Sequence, residues 1–392
     1  MGLFLKNLAW YANGIQHEGD VRIDRGIFTE IGDGPQARKN DYVIDFNGHF
    51  IYPGLINAHD HLEMNLYPRL GNPPYQNYTE WGKDIYKPDV SPIKEIEKLP
   101  LSDRLFFGGL KNVLNGVTTV VHHNPWSRTL SGANYPVKVL KKMTWAHSLK
   151  FDNNVAKKYK VNVPYIIHAA EGIDELASQE IDQLNEIDLL KSNTVLVHGV
   201  GILRKHIPIL QQNNVSLVWC PSSNYFLFNK TALIDLLKKS IRISLGTDST
   251  LTGLSGMLEE IRFAHSTGLA SPNELISMVT TTPASTFGLT NPAIEVGQSA
   301  DFFIVPKLHE DYALNLLESK PSIIRMAAVN GRLSIVDETI ASDLKLTKNF
   351  ITVDGSRKWT RWNVKRIHDR IWKQLRFKKI LEKNPLWNQI EV

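Results

Sequence analysis

Cysteine is almost absent from this chain of 392 residues, and long apolar runs are missing as well. The single cysteine, Cys220, excludes an internal disulfide framework and suits a reducing compartment, so we expect a cytoplasmic location. No apolar run approaches the roughly 18 residues that a membrane-spanning helix needs. The first residues, MGLFLKNLAWYANG, are not followed by a cleavage site of small residues, and we interpret them as a first strand instead of a signal peptide.

Acidic residues are scarce near the C-terminus. Between Arg357 and Lys383 there are eleven Lys or Arg and only two acids, Asp369 and Glu382, which gives this segment a net charge of +9. Because the whole chain carries +5, the remaining residues carry −4, an ordinary value for an enzyme domain. The basic character therefore belongs to a C-terminal extension and not to the whole protein.

The pattern of apolar residues divides the chain into four segments. Residues 1–50 and 291–342 contain short β-like runs, and we expect them to form one small sheet. Residues 51–290 alternate Val- and Ile-rich runs with helical stretches, which is typical of parallel strands buried on both faces. This predicts an α/β fold and favours a barrel with its site at the carboxyl ends of the strands, with a doubly wound open sheet as the alternative. Residues 343–392 are the basic extension.

Several predicted strands end in side chains that bind metals or transfer protons. These side chains are His59 and His61 on the first strand, then His168, His198 and Asp248 on later ones. A lone histidine on an apolar strand is usually an ordinary core or surface residue. Four such strand ends on the face where barrels keep their sites favour a metal centre instead. Three imidazoles and a carboxylate suit Zn²⁺, or Fe²⁺ as the alternative.

Short motifs along the chain resemble those of the amidohydrolase superfamily, and they occur in the same order. They are PGLINAHDH at 53–61, GVTTV at 116–120, PSSN at 221–224, LGTDS at 245–249, TPA at 282–284 and GQSAD at 297–301. PSSN and LGTDS are similar to the motifs of the chlorohydrolase and ring-deaminase branch, which includes cytosine, guanine and adenosyl-type deaminases. The resemblance extends from residue 1 to about residue 340. It implies a distorted (β/α)8 barrel beside a small β-sandwich formed from both chain ends.

The resemblance also implies a ligand set and a reaction. One divalent ion, zinc or else iron, would be held by His59, His61, His168 and Asp248. Lys141 and Lys142 lie too far up their predicted strand to bridge a second ion, which favours a mononuclear site.

A metal of this kind activates water for attack on an sp² carbon. In the implied reaction Asp248 takes the proton of the water, His198 stabilises the developing charge, and Glu171 passes a proton to the substrate nitrogen. This division of labour is typical of deaminases, from which the amine leaves as ammonia. Two alternatives stay open: hydrolysis of a cyclic or acyclic amide or carbamate at the same site, and a non-catalytic protein that binds partners through its basic tail. The position of Glu171 also allows a simpler interpretation, in which it is a solvated residue at a helix N-terminus.

Histidines and tryptophans near the predicted mouth favour a flat, heteroaromatic small-molecule substrate. The predicted substrate contacts are Glu63, Trp81, His122, His123, Trp126 and His147. Residues 70–92, rich in proline and aromatic residues, are predicted to be a loop that covers the metal as a lid or pocket wall. The alternatives are a loop on the outer barrel or at a subunit interface.

Two further features concern chain length and the tail. Only 45 residues separate His123 from His168, fewer than two β-α units usually take, so the third and fourth strand region is predicted to be truncated. In the tail, apolar residues recur at helical spacing, at Val364, Ile367, Ile371 and Leu375. Such a helix would lie on an anionic membrane, contact nucleic acid, or pack on its own barrel or on a second subunit of a homo-oligomer.

Overall fold

The chain forms one mixed and two parallel β-sheets in a computed structural model that describes residues 2–12, 14–375 and 379–392. The strands are β1 (Gly2–Ala12), β2 (Ile15–Asp24), β3 (Ile27–Gly32), β4 (Asp41–Pro53), β5 (Leu55–Asp60), β6 (Val117–His122), β7 (Lys138–Val139), β8 (Thr144–Ala146), β9 (Tyr165–Ala169), β10 (Thr194–His198), β11 (Ser216–Trp219), β12 (Arg242–Leu245), β13 (Phe302–Pro306), β14 (Met326–Val329), β15 (Arg332–Asp337), β16 (Phe350–Val353), β17 (Ser356–Thr360) and β18 (Ile390–Glu391). The helices are α1 (Tyr78–Ile85), α2 (Ile93–Ile96), α3 (Leu101–Leu114), α4 (Val155–Lys158), α5 (Glu175–Glu186), α6 (Ile207–Gln212), α7 (Pro221–Phe228), α8 (Ile234–Leu237), α9 (Met257–Ser266), α10 (Pro272–Val279), α11 (Thr281–Phe287), α12 (Tyr312–Glu318), α13 (Glu338–Asp343) and α14 (Val364–Leu375).

Strands from both ends of the chain share a ten-stranded sheet, ordered β18-β16-β17-β15-β14-β13-β4-β1-β2-β3. The two ends meet where β13 pairs antiparallel with β4. Side chains alternate along β13, so that Phe302 and Ile304 belong to the sheet's own core while Phe303 and Val305 pack into the barrel core. One face of the sheet is thus covered by its own apolar residues, and the other face attaches it to the barrel.

The barrel strands lie in two parallel arcs, β5-β6-β7 and β12-β11-β10-β9-β8. The end of β12 is tied to β5, since the backbone N–H groups of Thr247 and Asp248 both donate to the carbonyl of His59 at 3.1 Å. Apart from the short strands β7 and β8, these strands are buried along most of their length, which explains why the sequence shows continuous apolar runs there. Their carboxyl ends lie at one mouth.

The barrel is shortest at its third and fourth strands. Strands β7 and β8 have only two and three residues. Residues 140–143 join them directly, and between β6 and β7 this fully described stretch has only a 3-10 turn at Arg128–Ser131. The short spacing between His123 and His168 reflects this loss of two crossover helices.

The basic extension packs on the rest of the chain. On α14 the apolar residues Val364, Ile371 and Leu375 are buried in the barrel-side core. The guanidinium of Arg370 forms two hydrogen bonds, of 2.8 and 2.6 Å, with the carboxylate of Asp103 on α3. This arrangement favours the alternative in which the helix packs on its own barrel. Within residues 2–12, 14–375 and 379–392, no helix combines the length and the apolar character needed to cross a membrane.

Candidate metal centre and active site

Three imidazoles and one carboxylate converge at the carboxyl ends of the barrel strands. The Nε2 atoms of His59 and His61 lie 3.3 and 3.4 Å from Nε2 of His168. Oδ1 of Asp248 lies 3.9 Å from Nε2 of His59 and 3.7 Å from Nε2 of His61. Donor atoms about 2.0–2.1 Å from a zinc ion in a tetrahedral shell would be about 3.3 Å apart. These side chains could hold a divalent ion, and their ligand atoms form two overlapping groups within 4.8 Å: His59, His61 and Asp248, and His59, His168 and His198.

Hydrogen bonds at the far side of two imidazoles direct their Nε2 lone pairs to the cluster. Nδ1 of His168 lies 2.8 Å from the carbonyl oxygen of His147, to which it donates. Nδ1 of His59 lies 3.4 Å from Nδ1 of His123, whose Nε2 lies 2.9 Å from the carbonyl oxygen of Ala146. If His123 donates to that carbonyl, its Nδ1 accepts from His59. Both histidines then carry hydrogen on Nδ1, the tautomer that a metal ligand needs.

Asp248 is held as an ionised carboxylate. Its Oδ2 accepts hydrogen bonds from the hydroxyls of Ser223 at 2.9 Å and Thr252 at 2.7 Å, and its Oδ1 accepts one from the N–H of Ser249 at 2.8 Å. Burial by itself would raise the pKa of Asp248, but the neighbouring histidines and the two hydroxyls outweigh it and lower the pKa. Its backbone has a φ of +53°, a strained conformation that persists only where surrounding contacts hold it.

A buried ion pair supports the cluster. Nζ of Lys111, on α3, lies 3.0 Å from Oδ2 of Asp60 and donates to the hydroxyl of Thr247 and the carbonyl of Asp248, both at 3.1 Å. The amide of Asn112 adds a bond of 2.8 Å to the same carboxylate oxygen. These contacts tie the end of β5 to the segment after β12. The sequence analysis missed Lys111 and Asn112, because their role depends on how α3 packs against the barrel.

Glu171 and His198 lie side by side, with Oε1 and Nε2 3.7 Å apart. Burial, followed by the negative charges of Asp248 and Glu180, raises the pKa of Glu171 well above its ordinary value, which favours the protonated form of its carboxyl group. Burial lowers the pKa of His198, whose Nδ1 lies 2.9 Å from the amide oxygen of Asn224 and donates to it. The pair combines a proton donor with a neutral imidazole whose Nε2 faces Glu171.

A cavity of about 830 Å³ opens over the cluster, within the size range of small-molecule sites. Its floor contains His61, His168, Glu171, His198 and Asp248. Its wall is largely apolar and aromatic and includes Met64, Leu70, Tyr78, Trp81, Ile85, Tyr86, Ile93, Phe151 and Leu251. The cavity thus places ionisable groups at the bottom and flat apolar surfaces around them.

Residues 70–92 form part of this wall, but they are not the loop that we expected. They contain α1, whose first turn is capped by Asn77: its side-chain oxygen accepts from two backbone N–H groups of that turn, at 2.9 and 3.3 Å. The indole of Trp81 lines the cavity and donates to the carbonyl of Leu70 at 3.1 Å. A helix with an asparagine cap, Tyr78–Ile85, therefore interrupts a segment that is otherwise irregular, as its prolines predicted.

Two of the six predicted substrate contacts, Trp81 and His147, line the cavity. Burial lowers the pKa of His147 to about 4, so its imidazole is neutral there. His123 lies behind His59, as described above. Trp126 is 40% exposed, and its ring lies 5.8 Å from Nζ of Lys141, away from the cavity lining.

Glu63 and His122 lie one layer behind the cavity. Their Oε2 and Nε2 atoms are 3.7 Å apart, and burial lowers the pKa of His122. Asn124 stands between this pair and the cavity, because it lines the cavity and its amide donates to Oε1 of Glu63 at 2.7 Å. The sequence analysis missed Asn124 and Phe151, which carry no motif and are recognised only by their place in the lining, whereas Tyr78 belongs to the predicted lid segment 70–92.

Comparisons with known proteins agree with this architecture. The family model described as the amidohydrolase family matches residues 143–333. Over 383 residues the chain is 26% identical to a 5-methylthioadenosine/S-adenosylhomocysteine deaminase of Pyrococcus furiosus, covering 81% of this chain and 91% of that protein. It is 22% identical to a 5′-deoxyadenosine deaminase of Methanococcus vannielii, again covering 81% of this chain and 91% of that protein.

Two solved structures share the fold. An adenosine deaminase of Xanthomonas campestris with bound zinc superposes with a TM-score of 0.69 at 16% identity, covering 95% of this chain and 98% of its own. Atrazine chlorohydrolase of Arthrobacter aurescens TC1, complexed with zinc, gives a TM-score of 0.73 at 15% identity, and the match covers 95% of this chain and 100% of that chain. This likeness confirms an α/β fold of the barrel type with a separate sheet, although the described barrel strands hydrogen-bond as one sheet of five strands and one of three.

Proposed function

We propose that this chain, which its motifs, fold and relatives identify as an amidohydrolase-family protein, is a metal-dependent hydrolase that deaminates an adenosine-type nucleoside. The observation that carries the proposal is one cavity lined by His61, His168 and Asp248 of the ligand cluster and by Glu171, whose pKa is raised by burial. A hydrolase acting on carbon–nitrogen bonds needs both functions: activation of water and a proton for the nitrogen. The relatives named above are all called deaminases of adenosine derivatives.

The donor set fits a divalent metal. Zinc prefers imidazole and carboxylate ligands, and the cluster offers three imidazoles and the ionised Asp248. Of the imidazoles, His59 and His168 have the required tautomer. Both structural neighbours described above contain zinc. We infer a single ion, zinc, with iron as the alternative. When bound, such an ion would supply the Lewis acidity that makes water a nucleophile near neutral pH.

The residues around the cluster divide the proton transfers between them. Asp248 accepts a proton from the attacking water, whose oxygen forms the new bond to the ring carbon. Glu171 gives its proton to the adjacent ring nitrogen, which makes that carbon more electrophilic. His198 faces the reacting oxygen and stabilises its charge. The carbon–nitrogen bond then breaks as the amino group takes up the proton held by Asp248 and leaves as ammonia. The second hydrogen of the water passes from the new hydroxyl to Glu171 as the carbonyl forms, which restores the proton that Glu171 gave to the ring.

The cavity wall suits a purine nucleoside. Tyr78, Trp81 and Phe151 offer aromatic faces for a flat base. The substrates in the names of the two relatives share an adenosine whose 5′-hydroxyl is replaced. Leu70 and Ile85 provide an apolar surface for such a 5′ group. We therefore place 5′-modified adenosines first among candidate substrates.

Release of ammonia tests the proposal. Zinc-loaded protein is incubated separately with adenosine, 5′-deoxyadenosine, 5′-methylthioadenosine and S-adenosylhomocysteine, and ammonia and the deaminated base are quantified. We expect equal amounts of both products from at least one nucleoside, loss of activity after chelation, and recovery with zinc. Hydrolysis of a cyclic amide or a carbamate without any ammonia from the nucleosides would replace deamination by the alternative reaction.

Other aspects remain proposals that rest on the sequence. We propose a cytoplasmic location and a homo-oligomer, and domain limits at 1–50, 51–290, 291–342 and 343–392, with the last segment also contributing β16, β17 and β18 to the ten-stranded sheet. A tail that contacts a membrane or nucleic acid is less favoured than one packed on its own barrel, because the apolar side of α14 is buried. A non-catalytic binding protein is disfavoured by the complete ligand set.

A further inference from the structure

We propose that the C-terminal extension completes the metal centre, with Asn384 as a positioning residue for His61. This inference rests on the metal-dependent function proposed above. Asn384 lies more than 130 residues beyond Asp248 in the sequence and outside the segments that carry the superfamily motifs. Its side chain is nevertheless fully buried beside the segments that carry His61 and Asp248.

His61 differs from the other two histidines in how its ring is oriented. His59 and His168 each have a partner at Nδ1, whereas Nδ1 of His61 is buried with no hydrogen-bond partner among the described residues. A metal-binding histidine usually takes its orientation from a bond at the second nitrogen. The direction of the His61 imidazole therefore depends on the backbone that carries it.

That backbone is a turn held by Asn65. The amide nitrogen of Asn65 donates to Oδ1 of Asp60 at 2.9 Å, and it lies 3.2 and 3.3 Å from the carbonyl oxygens of Leu62 and His61, which share its second hydrogen. Its side-chain oxygen accepts from the N–H of Thr250 at 3.2 Å, two residues after Asp248. Asn65 thus joins the turn of one proposed ligand to the segment of another.

Asn384 fixes this junction from outside. Its amide nitrogen lies 3.0 Å from the carbonyl oxygens of both Asn65 and Tyr67, and it donates one hydrogen to each. The hydroxyl of Thr250 donates to the same Tyr67 carbonyl at 2.8 Å. The side-chain oxygen of Asn384 accepts from the N–H of Trp387 at 2.8 Å. Both hydrogens and the oxygen of the amide are used, so the side chain has one orientation.

The extension is anchored well enough to act as a frame. The ring of Trp387 lies 5.6 Å from that of Phe107 on α3 and stacks at 4.2 Å on His368 of α14. Beyond it, β18 pairs with β16 and so joins the large sheet. Because α3 also carries Lys111, which bonds Asp60, the extension and the ligand cluster are attached to the same helix.

Removing the amide should weaken zinc binding without touching the substrate cavity, which Asn384 does not line. Asn384→Ala removes a donor from the buried carbonyl of Asn65 and leaves the carbonyl of Tyr67 with the Thr250 hydroxyl, and Asn384→Asp turns an oxygen towards both carbonyls at nearly constant size. Loss of an outer hydrogen-bond partner typically costs about 10-fold or more in metal affinity. Asn388→Ala is the matched control, because Asn388 is exposed and its amide bonds only the carbonyl of Glu382, at 3.0 Å.

The experiment compares metal-free and zinc-loaded full-length protein for the parent and the three variants. Zinc affinity is measured by competition with a chromophoric chelator, and Tm is measured with and without zinc. We expect about 10-fold weaker zinc binding in both Asn384 variants, a smaller zinc-induced rise in Tm, and parental behaviour of Asn388→Ala.

A purely structural role would look different. In that case the Tm of both Asn384 variants would fall by the same amount with and without zinc, and their zinc affinity would equal that of the parent. The proposal would then be wrong. If Asn384→Ala does not fold, Asn384→Asp decides the outcome. A parent that binds no zinc would instead refute the proposed function, which separates the two failures.

Discussion

The floor and the wall of the cavity owe their positions to different interactions. The floor residues, His61, His168, Glu171, His198 and Asp248, stand on or just after buried strands, and the Asp60–Lys111 pair supports them. The wall contributed by α1 depends on its cap and on the bond from Trp81 to Leu70. The outer part of the cavity wall is exposed, since the side chains of Tyr86, next to α1, and of Phe151 are 69% and 51% exposed. A rigid floor suits proton transfer, whereas an exposed wall suits the choice of substrate.

If the floor carries the chemistry, Glu171→Gln should produce the largest loss of turnover among the variants proposed here. The amide has nearly the same shape but cannot donate a transferable proton, and a general acid contributes about 10²–10⁴-fold to kcat. Zinc content, measured by elemental analysis, should stay at the parental level because Glu171 is not among the four proposed ligands. Parental turnover in this variant would assign the proton transfer to another group.

The buried ion pair offers the second test of the floor. Removing one partner of a buried pair leaves the other charge uncompensated and costs about 3–5 kcal/mol of stability. Lys111→Met keeps the length of the side chain. We expect the free energy of unfolding, measured in urea, to fall by this amount.

Lys138→Met is the matched control for Lys111→Met. Lys138 pairs with Asp301 at 2.7 Å, but its side chain is 35% exposed, and such pairs contribute less than about 1 kcal/mol. Equal losses in the two variants would contradict the view that burial makes the Asp60–Lys111 pair a support of the floor.

The floor was largely predictable from sequence because it depends on local pattern. Strand residues alternate sides, so His59 and His61 had to face the same way, and the superfamily motifs predicted His168 and Asp248 as their partners. The same alternation left His122 and His123 ambiguous, because adjacent residues point to opposite sides and the pattern does not say which side is the mouth. In the structure neither lines the cavity.

The supports of the floor and most of the wall were not predictable. Lys111 and Asn384 reach the cluster only because α3 and the extension pack beside it, and no local pattern encodes that packing. Residues 70–92 were expected to be a loop because Pro73, Pro74 and Gly71 disfavour helix. The helix begins after them, at a cap whose effect depends on the side-chain rotamer of Asn77.

The wall is tested by Trp81→Ala, for which we expect the smallest of these effects. Loss of the indole removes a flat surface from the cavity and the bond to Leu70, and aromatic stacking on a base is worth about 1–3 kcal/mol. We expect KM for the best nucleoside to rise about 10-fold, corresponding to about 1.4 kcal/mol, with zinc content unchanged. Trp81→Phe should recover part of the loss.

Trp126→Ala gives the control, because both tryptophans were predicted substrate contacts and only Trp81 lines the cavity. Trp126 is 40% exposed, and substitutions at such positions usually change stability by less than about 0.5 kcal/mol. If KM rises in Trp81→Ala alone, the wall selects the substrate through its lining residues. If kcat and zinc content fall with Trp81 while KM stays constant, α1 holds the floor in place, and the division between floor and wall is wrong. Steady-state kinetics of the three tryptophan variants on one nucleoside distinguish these outcomes.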